Sequence, residues 1–189
     1  MLVERRLKRT LEDYFDLESH SAEKHEFLNG EIFAMGGAKS SHNLVATNTL
    51  VALAAALRGQ PCKPFNSDQR VHVPRTGLYT YPDGGVACGK WQIHAVDRMS
   101  LLNPVLLFEV LSTSTTDYDR GSKLDHYKAI PSVREVLLIA QPERRVEHHR
   151  RIDGDRWTAT THTAGAIDLA LGASLVLADL YDQIESTLD

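Results

Sequence analysis

Three features of the sequence predict an α/β fold. Two apolar runs, Val105 to Leu111 and Glu135 to Ala140, have the length and the lack of polar alternation of strands buried on both faces of a sheet. Between them, Thr116 to Ala129 reads as a helix, closed by Ile130-Pro131 because a residue before proline is pushed out of the helical region. Upstream, Leu44, Val45, Leu50, Val51, Leu53, Ala54 and Leu57 recur at helical spacing.

In chain order, Leu11 to Leu17 forms a short helix, with Thr10 as cap and Asp13 three residues on. A hairpin follows. His25 to Leu28 and Glu31 to Met35 flank Asn29-Gly30, a dipeptide that tolerates positive φ at both turn positions, and Gly36-Gly37 ends it. The helix of Ser41 to Arg58 takes Ser40 or Ser41 as cap and stops at Gly59. Gln69 to Val73, Val86 to Cys88 and Val105 to Leu111 are expected as strands of a central sheet. Beyond the helix of 116–129 and the strand of 135–140, Arg145 to Arg151 pairs with Arg156 to His162 around Asp153-Gly154. Ala166 to Leu171 and Leu175 to Tyr181 close the chain as a strand and a short helix, so that the C-terminal part is an antiparallel extension.

A chain of 189 residues with 42% hydrophobic and 24% charged residues suits one domain over 1–189, with no linker composition to divide it. No apolar run approaches the roughly 20 residues that span a bilayer, and the start lacks the apolar core of a signal peptide, so a cytoplasmic protein without a membrane partner is expected. In that setting Cys62 and Cys88 read as plain buried or half-buried thiols. A net charge of −4 provides no overall attraction to a polyanion, although Arg5, Arg6, Lys8 and Arg9 form one basic patch and Arg144, Arg145, Arg150, Arg151 and Arg156 another. The absence of a Gly-rich phosphate loop argues against a nucleotide triphosphatase.

One residue breaks the apolar pattern. Glu109 lies inside the run of 105–111, where a carboxylate carries a desolvation cost of several kcal/mol unless a cation, a proton or hydrogen bonds compensate it. Asp83 follows Tyr81-Pro82 at the start of a neighbouring strand, and Lys123 lies about two turns into the helix after Glu109. A strand feeding a helix that packs back on its own sheet brings Lys123 towards Glu109. Two carboxylates and an ammonium in one pocket suit Mg²⁺ or Mn²⁺, hard ions that take a few carboxylate oxygens and leave other positions to water or phosphate.

The order Pro82-Asp83, Glu109, Lys123 resembles the PD-(D/E)XK nuclease motif. Glu26 before Asn29-Gly30-Glu31, His42 opening a helix, Tyr81-Pro82-Asp83, Glu109-Val110-Leu111-Ser112, and Asp119-Arg120-Gly121-Ser122-Lys123 with Tyr127 are similar to the Uma-two family of restriction-endonuclease-like nucleases. The resemblance runs from about Thr10 to the C-terminus, through Val146 to Arg151 and Leu177 to Tyr181. It implies a restriction-endonuclease-like core, with a mixed central sheet flanked by helices, and Mg²⁺-dependent phosphodiester hydrolysis. It also implies that the lysine comes from the following helix as Lys123, where the simple motif would put it at Leu111. Asp83 and Glu109 are then metal ligands, with the Val110 carbonyl as a third donor and Lys123 as the water-positioning cation. Gly84-Gly85 departs from the family, which runs on with apolar strand residues, and predicts a weakened strand start behind Asp83.

Around this core, Glu26 is either a further ligand reached from the first hairpin or a surface carboxylate beside a turn. His42 is either a phosphate or water contact at a helix N-terminus or a capping-region histidine. Tyr127, four residues after Lys123 and so on its helix face beside Arg120, is either a site residue or a packed aromatic. His148 and His149 point to opposite faces of a strand and cannot act as a simple metal pair. Ser112, Ser114 and their threonines cap a helix rather than serve as nucleophiles. Nucleic acid is the implied partner, DNA ahead of RNA, and a homodimer would suit cutting two strands. Competing readings are a non-catalytic binding or regulatory protein on this fold and a metal-dependent hydrolase of another phosphorylated substrate.

Overall fold

The structure is a computed structural model that describes residues 8–112, 116–141 and 143–184. Arg5, Arg6 and Ser114, with the threonines beside it, lie outside the described residues. A six-stranded mixed sheet organises the chain. Its strands are β3 (Cys62–Asn66), β6 (Gly84–Cys88), β7 (Pro104–Leu111), β8 (Glu135–Ala140), β9 (Val146–Asp153) and β10 (Arg156–His162), side by side in the order β10-β9-β8-β7-β6-β3. Only β7 and β8 run parallel, as expected of strands joined by a helical crossover, and the other neighbours are antiparallel.

The crossover helix is not continuous. It comprises α3 (Thr116–Tyr118), a turn (Asp119–Lys123) kinked by non-helical angles at Gly121, and α4 (Leu124–Lys128). A smaller sheet, β2-β1-β5-β4, joins the expected hairpin of β1 (His25–Leu28) and β2 (Glu31–Ala34) to β5 (Leu78–Thr80) and β4 (Val71–Val73). Asn29 and Gly30 both adopt positive φ, 53° and 86°, as a two-residue turn between twisted strands requires. Helix α1 (Leu11–His20) begins with the expected box, Thr10 and Asp13 bonding each other's backbone amides. A last hairpin, β11 (Ala166–Leu169) and β12 (Ala173–Val176), leads into α5 (Leu177–Leu180).

Strand alternation sorts the core into two layers. Leu106, Phe108 and Val110 of β7 and Leu137 and Ile139 of β8 face α2 (Ser40–Ala56) and the C-terminal hairpin, packing with Val45, Leu53, Ile167 and Leu180. On the opposite face Leu107, Leu111, Val136 and Leu138 pack against Leu124, Tyr127, Ile130 and Val133. Glu109 shares the parity of Leu107 and Leu111 and is directed to the α4 side. Among the described residues no helix is long and apolar enough to cross a membrane.

Several expectations need correction. Residues 71–73 belong to the smaller sheet, not the central one, while β3 and β5 are strands that the sequence pattern does not announce. Lys39, not Ser40 or Ser41, caps α2, and it makes no side-chain cap bond. Residues 166–181 hold two strands because Gly172, at φ 71°, turns the chain between them. Cys62 and Cys88 are not free thiols: they are directly paired across β3 and β6 and joined in a disulfide.

Candidate active site

Asp83 lies one residue before the first ladder pair of β6 with β7, Gly84 with Phe108, which sets it against Glu109. Backbone and side chain exchange partners there. The Val110 amide donates to Asp83 Oδ2 at 2.7 Å, and the Asp83 amide reaches Glu109 Oε2 at 3.4 Å. His42, in the first turn of α2, brings Nε2 to 3.0 Å from Asp83 Oδ2. Burial lowers the proton affinity of that imidazole, but the Asp83 carboxylate outweighs it and holds the pKa above the usual histidine value.

Glycine behind Asp83 is a matter of space. A Cβ on Gly84 would stand 2.6 Å from the Phe108 ring, and one on Gly85 would stand 2.5 Å from the Phe65 ring and 2.6 Å from the Leu106 carbonyl. Two aromatic rings close over this strand, and both glycines are buried in it. The pair therefore lets β6 pack tightly between β3 and β7 instead of loosening it, which reverses the expectation from composition.

Glu109 is 4% exposed and Lys123 4%. Lys123 Nζ lies 3.0 Å from Glu109 Oε1, 3.3 Å from Glu26 Oε1 and 3.9 Å from Asp119 Oδ1. Tyr127, one helical turn on, donates its hydroxyl to Glu109 Oε1. Glu26 is fixed in turn by the Thr80 hydroxyl and by the Tyr118 hydroxyl, the latter at 3.0 Å. The Tyr118 and Tyr127 rings flank the ammonium, with centroids 5.9 and 6.0 Å away.

Negative charge is in excess here. Burial, offset in part by Lys123 and reinforced by Asp83 and Asp119, pushes the Glu109 carboxyl up to about 8. For Lys123 burial works against the charge, but Glu109, Glu26 and Asp119 overcome it and hold the ammonium protonated well above its ordinary range. Burial and the adjacent Glu109 likewise raise the Tyr127 phenol. Burial and Glu26 do the same to Tyr118.

All six side chains singled out in the sequence, Glu26, His42, Asp83, Glu109, Lys123 and Tyr127, thus fall in one connected network, and the Val110 backbone adjoins it through its amide. Arg120 does not join them, because its guanidinium turns to Glu147 of β9 at 2.7 Å. Thr80, Tyr118 and Asp119 do join, though the sequence reading assigned them no part. Asp119 had a usable signal in its i,i+4 spacing to Lys123. Thr80 had none, since it meets Glu26 only through the pairing of β5 with β1.

Among the described residues no three His, Cys, Asp or Glu side chains form a metal cage of their own. Asp83 and Glu109 still fit a hard divalent ion, because Mg²⁺ commonly takes one or two carboxylates and completes its shell with water and phosphate oxygens.

A second buried network steadies this segment from behind. Tyr81, two residues before Asp83, donates to Glu18, and Arg70 spans Glu18 at 3.4 Å and Asp97 at 3.1 Å.

Comparison with known proteins agrees with this architecture. The chain is 34% identical over 151 residues to "Uncharacterized protein sll1609" of Synechocystis sp., covering 80% of this chain and 85% of that protein. It is 31% identical over 175 residues to "Uncharacterized protein slr1290" of the same organism, covering 90% of each. Its fold matches that of a chain from Anabaena variabilis described as a "putative nuclease belonging to DUF820", with a TM-score of 0.69 and 15% identity over 90% of this chain and 98% of that one. The Uma2 family, described as "Putative restriction endonuclease", matches residues 11–180. With that span taking in every residue of the acidic pocket, the chain belongs to the Uma2 family.

Proposed function

We propose that this protein is a metal-dependent endonuclease that hydrolyses phosphodiester bonds, DNA ahead of RNA, in the cytoplasm. The observation that carries the reading is the convergence of Asp83, Glu109 and Lys123 from three separate elements, with the ammonium 3.0 Å from the mid-strand acid. A pocket built only for stability would be served by apolar residues of the same volume.

Asp83 and Glu109, with the Val110 carbonyl, are the groups that would hold Mg²⁺ or Mn²⁺, and the ion when bound supplies polarisation of a phosphoryl oxygen and a more acidic water. Lys123 positions the attacking water and neutralises charge that builds on the phosphorus. Glu26 and Asp119 keep that ammonium protonated and fix where it stands. His42 holds Asp83 in place through Nε2, and Tyr127 orients Oε1 of Glu109. The family description supports the same reaction class.

The test is cleavage of mixed DNA and RNA substrates with Mg²⁺ or Mn²⁺. Wild type is expected to cut, and Glu109→Gln to fold but fail to cut. Cleavage retained by a highly purified Glu109→Gln preparation would overturn the assignment.

A further inference from the structure

Two exposed aromatic rings frame the acidic pocket. Phe33 is directly opposite Glu26 in the β1–β2 ladder, so both side chains leave the hairpin on the same face, the one on which Glu26 meets Lys123. Its neighbour Ile32, opposite Phe27, takes the other face and packs with Tyr14, Phe27 and Tyr79. Phe33 is 47% exposed, and among the described residues it joins no core cluster and meets no other ring. Tyr118 reaches the same carboxylate from the crossover, bonding Glu26 Oε2 at 3.0 Å with its hydroxyl while 36% of the residue stays in solvent.

One exposed phenylalanine on a surface is ordinary, but two exposed rings on a single pocket carboxylate are not scattered apolar surface. The charges beside them decide what they meet. A protein that grips duplex nucleic acid does so through many lysine and arginine contacts to phosphate. Here Lys24 is 2.6 Å from Asp68, Arg120 is 2.7 Å from Glu147, and Lys123 is enclosed by acids, in a chain of net charge −4. Lys39, exposed at the start of α2 one turn before His42, is the exception, with no ion pair among the described residues. Little free positive charge is left for a duplex. Stacking on aromatic rings is the other source of affinity for nucleic acid, and a base can offer its face to a side chain only when it is unpaired.

We propose that Phe33 and Tyr118 are a base-stacking platform and that the pocket takes single-stranded nucleic acid, with an unpaired base held beside the phosphodiester that is cut. This substrate class rests on the nuclease reading of the pocket and narrows it. Glu26 ties the platform to the chemistry, because it bonds Tyr118 through one oxygen and meets Lys123 through the other. The Tyr118 ring centroid is 5.9 Å from the Lys123 ammonium, so a base against that ring lies within one side chain of the cation assigned to the attacking water. Lys39 is the free cation for an adjoining phosphate. A duplex would have to open at the bond before it could enter.

The experiment is binding of oligonucleotides of one sequence, as single-stranded DNA, single-stranded RNA and duplex DNA, to the full chain with Ca²⁺ in place of Mg²⁺. Affinity is read by fluorescence anisotropy, and stacking by quenching of an aminopurine base in the same strands. Wild type is expected to bind a single strand at least roughly 10-fold tighter than the duplex and to quench the aminopurine. Phe33→Ala should lose roughly 10-fold in single-strand affinity together with the quenching, and Phe33→Trp should keep both. Since Phe33 joins no core cluster, melting of both variants should match wild type. Tyr118→Phe keeps the ring and should bind as wild type does, which separates the ring from its bond to Glu26. Equal affinity for single strands and duplex, or undiminished single-strand binding and quenching by Phe33→Ala, would overturn the proposal. Cleavage with Mg²⁺ or Mn²⁺ is scored separately. A protein that cuts but gives either of those results keeps the nuclease reading and loses the platform, and one that stacks a base but cuts nothing keeps the platform and loses the nuclease reading.

Discussion

The Lys123 ammonium stands 3.0 Å from the Glu109 carboxylate with both side chains almost fully withdrawn from water. Each is the other's main compensation. Removing the cation alone leaves Glu109, Glu26 and Asp119 facing one another without it, and loss of one partner of a buried pair costs about 3–5 kcal/mol. Lys123→Met is therefore expected to lower unfolding free energy by about that amount. Adding Glu109→Gln to it should recover part of the loss, and urea titration of the single and double variants gives the coupling directly.

The raised Glu109 pKa sets a pH dependence with a definite sign. A carboxyl that titrates near 8 in the folded state and near 4.5 when unfolded binds more protons folded than unfolded between those values. Its contribution to stability is complete below about pH 4.5 and is lost as pH rises to about 8. With chelator present, melting of the wild type should show this decline, and Glu109→Gln should lose it. An unchanged slope in Glu109→Gln would remove Glu109 as its source.

Substitution at the glycine pair should cost more than helix or strand propensity does. Gly85→Ala meets the Leu106 carbonyl, which cannot move without shifting β7, and overpacking of this kind costs about 1–3 kcal/mol. Gly84→Ala meets the Phe108 ring at 2.6 Å and the Phe65 carbonyl at 2.9 Å. Phe108→Leu should relieve the ring contact and restore part of the stability of Gly84→Ala but none of that of Gly85→Ala. Denaturant midpoints of the four variants are the measurement.

For the cysteines, no thiol should react under denaturing, non-reducing conditions, and two should react after reduction. The bond closes a loop of 26 residues in sequence, for which chain entropy gives about 3–4 kcal/mol. Cys62→Ser is expected to lower stability towards that extent, and a reductant should lower the melting temperature of wild type but not of the variant.

Legibility in the sequence followed the range of the interaction. The hairpin at Asn29-Gly30, the helix up to Gly59 and the strand of 135–140 rest on contacts between near neighbours, and pattern was enough to find them. Glu109 was conspicuous because its chemistry contradicts its neighbours. Thr80 and Tyr118 carry no such contradiction, and they matter only because β1 and β5 lie side by side and bring Glu26 to them. The cysteines show the reverse error, in which a general rule about compartments outweighed a facing pair on adjacent strands that no local pattern reveals. Gly84-Gly85 misled in a third way: propensity describes a strand in isolation, whereas here rings from both neighbouring strands occupy the space a side chain would need.

The kink at Gly121 gives the spacing of this motif a rotational meaning. Each residue of an α-helix turns the next side chain by about 100°, and the break at Gly121, with φ −99° and ψ −112°, resets the direction of the helical piece that carries Lys123. The separation of Glu109 and Lys123 along the chain is thus an angular setting: one residue removed from the turn would swing the ammonium off the sheet while every functional group was still encoded. A relative with all the same acids and lysine but a different count through this turn would retain the composition of the pocket and lose its alignment.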